Sequence, residues 1–307
     1  MDKKSTIYIA GHKGMVGSAI LRCLKENGYT NLVIASSKEL DLRNQKEVNN
    51  FFTKERPDFV ILAAAKVGGI RANIKYPGDF IYDNLAIQNN VINASKLFDV
   101  KKFVFLGSSC IYPKECPQPM KEEYLLSGPL EPTNEGYALA KIAGITMLNS
   151  YKKQHGLNSI SIIPPNLYGP NDSFDLDHCH VLSALVKRFS DAVSNNDNEI
   201  TLWGTGIARR EFMHVDDLAK AVFYFLENKV EQELINIGWG KDISIKELAE
   251  IIAKKTGFNG KIQWDSSKPN GMLKKCMNID RMNELDITPN IKLNDGINEM
   301  IKIYKTL

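Results

Sequence analysis

The chain has 307 residues, 43% of them hydrophobic and 24% charged, a balance that excludes a disordered polymer and leaves room for one sizeable domain plus a smaller one. Its formal net charge is +3 and its pI is near 8.4. With no long run of Lys and Arg, nothing points to a nucleic-acid partner, while an anionic small molecule is compatible.

The amino terminus, MDKKSTIYIAGH, has a basic start but only a short apolar run. No later stretch approaches the ~20 apolar residues of a membrane span, so a cytoplasmic protein without a membrane partner is expected. Cys23, Cys110, Cys116, Cys179 and Cys276 are odd in number and form no CxxC pair, which argues against a disulfide framework or a zinc knuckle. His178, Cys179 and His180 are consecutive, and three adjacent side chains cannot converge on one ion without distorting the backbone. No metal is expected.

In chain order, STIYIAG reads as a strand and GMVGSAILRCLKENG as a helix closed by Gly28. NLVIAS reads as a second strand, and NQKEVNNFFTKE as a helix stopped before Pro57. DFVILAAA, KKFVFLGSS and NSISIIP read as three more buried strands, with long helices near Asp79 to Phe98 and Glu135 to His155 between them. This rhythm predicts an α/β fold, a doubly wound parallel sheet of the Rossmann kind.

After Pro170 the rhythm breaks. NDSFDLDHCHV to about Arg210 reads as an inserted lobe, with NNDNE near residue 197 as a polar turn. HVDDLAKAVFYFLENK returns a helix to the sheet, and ISIKELAEIIAKKTG belongs to a second, smaller α/β domain. Residues 1–168 and a returning segment near 212–240 are expected to bind the dinucleotide. Residues 169–211 and 241–307 are expected to bind substrate and close over the strand ends.

Between the first strand and helix stands GHKGMVG. Gly11, Gly14 and Gly17 let the backbone approach a pyrophosphate, whose charge the helix start favours; His12, Lys13, Met15 and Val16 complete the loop. An NAD enzyme would usually carry Asp or Glu at the end of the second strand, but here that end reads ASSK. Ser37 and Lys38, with Lys13 nearby, suit a 2′-phosphate better than a bare diol, so NADP(H) is the expected cofactor. Asp41 and Leu42 would bracket the adenine.

The stretch Gly107 to Lys141 carries the chemistry. Tyr137 and Lys141 are four residues apart in a helical segment and share a face. An ammonium one turn away favours the phenolate, which would let Tyr137 exchange a proton near neutrality. Ser108 ends the KKFVFLG strand, where ligands collect in open α/β sheets.

GHKGMVGSAI, AAAKVGGIRAN, GSSCIYPK, YALAKIAG, PPNLYGPND and WGTGIARREFMHVDDLA resemble the GDP-L-fucose synthase family, a branch of the extended short-chain dehydrogenases/reductases. The similarity spans nearly the whole chain. It implies NADPH-dependent 3,5-epimerisation and C4-keto reduction of GDP-4-keto-6-deoxy-D-mannose, in a homodimer paired through the two long helices. Ser108, Tyr137 and Lys141 would then be the reductive triad, with Cys110 and His180 as base and acid of epimerisation. Leu106, Gly107, Ser109, Lys141, Pro164, Pro165, Asn166, Leu167 and His180 would add to the cofactor site. Arg188, Trp203, Arg210 and Asn270 would hold the GDP-sugar.

Two departures stand out: Asn270 occupies a position where the family commonly has Asp, and the second-strand end lacks the arginines often found there. Rival readings are a C4-reductase of another GDP-4-keto sugar, such as a 6-deoxy-heptose, with weak or no epimerase activity, and a non-catalytic dinucleotide sensor. A dehydratase is disfavoured, because Cys110 and Ile111 stand after the serines in place of the Asp-Glu pair that elimination uses.

Overall fold

A computed structural model describes residues 1–176, 179–268 and 270–307. Five strands fall where the apolar runs place them: β1 (Ile7–Ala10), β2 (Leu32–Val33), β3 (Phe59–Leu62), β4 (Lys102–Leu106) and β5 (Ser159–Ile163). A sixth, Leu234–Asn236, lies in a stretch the sequence does not mark. The sheet is parallel throughout, in the order Leu234–Asn236, β5, β4, β3, β1, β2. The strand order reverses between β1 and β3, the switch point where such sheets hold ligands. NLVIAS is strand only at Leu32–Val33, because from Ile34 onward the edge chain turns out toward solvent.

Both faces of the sheet are covered, which explains why its strands are continuously apolar. Ile7, Ile9, Ile61, Val104 and Ile160 pack against Ala19, Ile20 and Leu24 of α1 (Met15–Glu26). Tyr8, Val60, Phe103 and Phe105, one residue out of phase, meet Val48 and Phe52 of α2 (Gln45–Glu55). Beyond α3 (Ile70–Lys75), the long helices α4 (Pro77–Leu97) and α5 (Glu135–His155) cover that second face, within a residue or two of their predicted spans. They approach closely at Gly144, where a Cβ would come within 2.9 Å of the Gln88 amide oxygen. Gln88 Nε2 in turn donates to the Ala140 carbonyl at 2.5 Å.

A third apolar cluster joins α6 (Val181–Asn195), α8 (Ile245–Thr256) and the C-terminal helix Leu293–Lys305 through Leu185, Phe189, Leu248, Ile252, Ile297 and Met300. Between α6 and α8, helix α7 (Val215–Glu227) returns to the first face of the sheet beside α1. Asn196, at φ 57°, ends α6 in the expected polar turn, and α8 starts from a reciprocal Ser244/Glu247 capping box. Short strand pairs edge this cluster, including Glu199–Trp203 with Lys261–Asp265 and Arg209–Arg210 with Lys274–Lys275. Among the described residues no helix is long and apolar enough to cross a membrane.

Candidate active site

The β1–α1 turn is shaped by steric exclusion. Gly11 has φ +89°, and a Cβ there would come within 2.6 Å of the Ala64 backbone nitrogen; a Cβ on Gly17 would run into the Gly11 carbonyl. Glycine therefore lets α1 start directly above the strand end, with Gly14 N donating to Gly11 O at 3.0 Å. Over this turn opens a cavity of about 830 Å³. Gly11 to Gly17, Ser37, Asp41, Leu42, Leu106, Gly107, Ser108, Ser109, Tyr137, Lys141, Pro164 to Leu167 and His180 all line it.

The residues suit a dinucleotide. Exposed glycine backbone is at the floor, and the buried His12 lines the cavity with its Nδ1 lacking a hydrogen-bond partner. Lys38, by contrast, lies in an exposed turn and does not line the cavity. Arg43 takes its place: its Nε and Nη2 bond the Asp41 carboxylate at 3.0 Å each, and Nη1 reaches Asp83 at 3.2 Å. The second-strand end itself carries no arginine, but Arg43, further along the chain, lines the cavity.

Ser108 emerges from β4 after Gly107, where any side chain would strike Ile163. The Ser108 hydroxyl accepts from Cys110 N at 3.5 Å. Tyr137, in the first turn of α5, meets Phe80 edge-on with ring centroids 6.3 Å apart. Lys141 is buried one turn later, but its Nζ donates to the Leu106 carbonyl at 2.8 Å and lies 5.8 Å from the Tyr137 ring centroid. Burial pushes Lys141 down to about 8. Burial, and then the nearby Cys110, push the Tyr137 hydroxyl well above its ordinary value, with Ser108 opposing. The expected tilt toward phenolate is therefore reversed: the ammonium is committed to a carbonyl, and Tyr137 is a protonated donor.

Cys110, 4% exposed, sits in the turn Ser109–Ile111 and lies behind the cavity lining. Burial raises its thiol, while Lys275, Ser108 and Lys141 pull the other way. Lys275 comes from Lys274–Lys275, far away in sequence and unremarked there. His180 stands at the N-cap position of α6, without a side-chain capping bond, and shares the cavity wall with Asp172. Asp172 accepts the Ser183 hydroxyl and, at 2.9 Å, the Ser173 N–H. His178 lies outside the described residues, and among those described no group of His, Cys, Asp or Glu is gathered to hold a metal.

Arg188, Trp203, Arg210 and Asn270 do not line the cavity. Arg210 Nη2 donates to the Asn270 carbonyl at 3.3 Å, and burial pushes its guanidinium down to about 10. Arg188 Nη2 donates to the Thr201 carbonyl at 2.6 Å. The Asn270 side-chain oxygen accepts the Thr205 N–H at 2.9 Å and its hydroxyl at 3.2 Å, so the amide braces the turn after Trp203. The arrangement offers a dinucleotide-shaped crevice with a phenol and a serine hydroxyl converging at one strand end. Such a pair can bond a carbonyl oxygen and protonate it as it gains charge.

Residues 7–238 match the model of the NAD dependent epimerase/dehydratase family. Over 99% of its length the chain is 52% identical to Arabidopsis thaliana GDP-L-fucose synthase 1, covering 94% of that protein. It is 48% identical to the Escherichia coli (strain K12) GDP-L-fucose synthase, over 96% of this chain and 94% of that one. Among solved structures, the Campylobacter jejuni GDP-mannoheptose C4 reductase with NADP bound superposes with a TM-score of 0.89 at 40% identity, over 99% of both chains. Sequence, strand order and the glycine turn agree: the chain belongs to the NAD dependent epimerase/dehydratase family.

Proposed function

We propose that this protein converts GDP-4-keto-6-deoxy-D-mannose to GDP-L-fucose by epimerisation at C3 and C5 and NADPH-dependent reduction at C4. The observation that carries the reading is the gathering of Ser108, Tyr137, Lys141 and Cys110 at the end of β4, beside a dinucleotide-sized cavity. It occurs in a chain about half identical, over nearly its full length, to proteins named for that conversion. Bound NADPH would supply the hydride to C4.

The chain's own residues do the rest. Ser108 and Tyr137 bond the C4 oxygen, and Tyr137, held protonated by burial, delivers its proton as the carbonyl becomes an alkoxide. The same two bonds stabilise the enolate formed when a proton leaves C3 or C5. Cys110 is the base, its ionisation opposed by burial and assisted by the Lys275 and Lys141 charges. His180 returns the proton. Residues 1–168 and 212–240 would hold NADPH, and residues 169–211 and 241–307 the GDP-sugar. A cytoplasmic homodimer paired through α4 and α5 is part of the reading, supported by the exposed Tyr82, Leu97 and Leu139 on those helices.

The test is NADPH consumption with freshly prepared GDP-4-keto-6-deoxy-mannose, followed by NMR of the product. GDP-L-fucose is expected. A reduced sugar with C3 and C5 unchanged would instead favour the second reading, a C4-reductase of another GDP-4-keto sugar, for which the likeness to the Campylobacter jejuni heptose reductase speaks. Tyr137→Phe is expected to slow reduction by about 10²–10⁴-fold, the range for a positioned acid. Cys110→Ser is expected to abolish solvent-deuterium entry at C3 and C5 while leaving reduction in place; unchanged exchange would remove Cys110 as the base.

A further inference from the structure

We propose that Arg43 is the adenine platform of this chain: the flat face of its guanidinium, held along the cavity wall by Asp41 and Asp83, stacks on the adenine ring of NADP(H). The inference rests on the dinucleotide reading of the cavity and adds a residue to it.

Arg43 stands two residues past Asp41, in the connection between β2 and α2. That connection is pinned from several sides. Asn44 N donates to the Asp41 carbonyl at 2.9 Å, and the Asn44 side chain caps α2. Asp41 N donates to Glu47 Oε2 at 3.1 Å, and Asn90 Nδ2 of α4 donates to the Leu42 carbonyl at 2.9 Å. The backbone carrying Arg43 is therefore fixed against α2 and α4 together. Asp83, on the same helix as Asn90, receives Arg43 on one carboxylate oxygen and, at 3.0 Å, Lys66 Nζ on the other.

The fork of Nε and Nη2 on Asp41, with Nη1 on Asp83, fixes the guanidinium plane, because such bonds lie within it. Arg43, Asp41 and Asp83 all line the cavity, so the plane runs along its wall and turns a face inward. The fork also holds the Asp41 carboxyl below its ordinary value, which keeps the pair ionised near neutrality. On this wall Arg43 and Lys66 meet Asp41, Asp79 and Asp83. A phosphate would find no surplus of positive charge there, whereas a neutral purine needs none. Ala35, Leu42, Ala64 and Ile87 line the same end and continue the apolar packing on the second face of the sheet. Ile87 lies one helical turn from Asp83, so the apolar surface and the guanidinium face are neighbours. Asp41 and Leu42, expected to bracket the adenine, thereby act with Arg43: one holds the platform and the other supplies apolar contact. The Arg43 side chain is 49% exposed, surface that a stacked purine would cover.

The test is calorimetric titration of the full chain with NADP⁺ and with NAD⁺, which differ only in the 2′-phosphate. Arg43→Ala is expected to weaken both dinucleotides alike, roughly three- to tenfold, the scale of one guanidinium on a ring. Arg43→Lys keeps the charge but not the plane, and is expected to show the same loss; this arm decides on NADP⁺ alone. Both variants should melt at the wild-type temperature, since only a half-exposed ion pair is removed. If Arg43→Ala binds NADP⁺ as tightly as the wild type, the inference fails and the dinucleotide reading stands. A loss confined to NADP⁺, or full recovery by Arg43→Lys, would make Arg43 a phosphate contact and overturn the stacking assignment. A wild-type protein that binds neither dinucleotide would overturn the dinucleotide reading itself.

Discussion

At the residue scale, Lys141 gives the sharpest prediction. Burial holds its ammonium at about 8, well below an ordinary lysine. Below that pH the folded protein carries the charge beside the Leu106 carbonyl on the cavity wall; above it the charge is lost. Between about 8 and the ordinary lysine value the unfolded chain binds more protons, so folding stability rises with pH across that window. Activity should move the other way: turnover should decline above about pH 8, and Lys141→Met should be slower with no such limb. A wild-type rate flat to pH 10 would show that the cation is not required. Ser108, Tyr137 and Lys141 were legible in the sequence because each sits in a short local pattern. Arg43 comes to the cavity wall, and Lys275 to Cys110, through turns and lobe packing that no spacing encodes. The protonation of Tyr137 was misread for the same reason, since it depends on burial and on where the Lys141 Nζ ends, not on helical phase.

At the scale of elements, the strands of the main sheet were readable because both faces are buried, which leaves unbroken apolar runs. The exceptions are instructive. Edge strand β2 holds only two residues of its apolar run, and Leu234–Asn236 is too short to rise above its surroundings. Around the third cluster Arg209–Arg210 and Lys274–Lys275 are equally short, whereas Glu199–Trp203 and Lys261–Asp265 run for five residues each. The β1–α1 turn was legible in its glycines, but only the coordinates separate their roles. A Cβ on Gly17 would strike the Gly11 carbonyl, whereas one on Gly14 meets that oxygen at an ordinary 3.5 Å. Gly17→Ala should therefore lower stability by about 1–3 kcal/mol as α1 is pushed off its strand. Gly14→Ala should cost less than about 1 kcal/mol, since its φ of −75° suits any residue. Denaturant titration of the two variants measures both, and equal losses would remove the steric account of the motif.

At the scale of the whole molecule, Glu211 shows how the parts are joined. Its buried carboxylate accepts backbone N–H groups from Gly240 at 2.8 Å and Met277 at 2.7 Å, binding the chain after Arg210 to the exit of the sheet's edge strand and to the segment after Lys275. Exposed apolar side chains stand elsewhere. Helices α4 and α5 bury one side on the sheet and on each other, yet still expose Tyr82 (67%), Leu97 (48%) and Leu139 (42%) to solvent. Burying such side chains is worth about 1.5–3 kcal/mol each, so a second copy laid across the same two helices would gain a four-helix contact at little ordering cost. An isologous pair uses each patch twice, and two substitutions per chain alter four places in the interface. Tyr82→Asp with Leu139→Asp should therefore shift the proposed dimer to a monomer of 34.5 kDa by light scattering. Both side chains are exposed within the single chain, so the melting temperature of the diluted monomer should be unaffected. A variant that remains dimeric would move the interface off these helices while leaving the cavity, which neither residue lines, untouched.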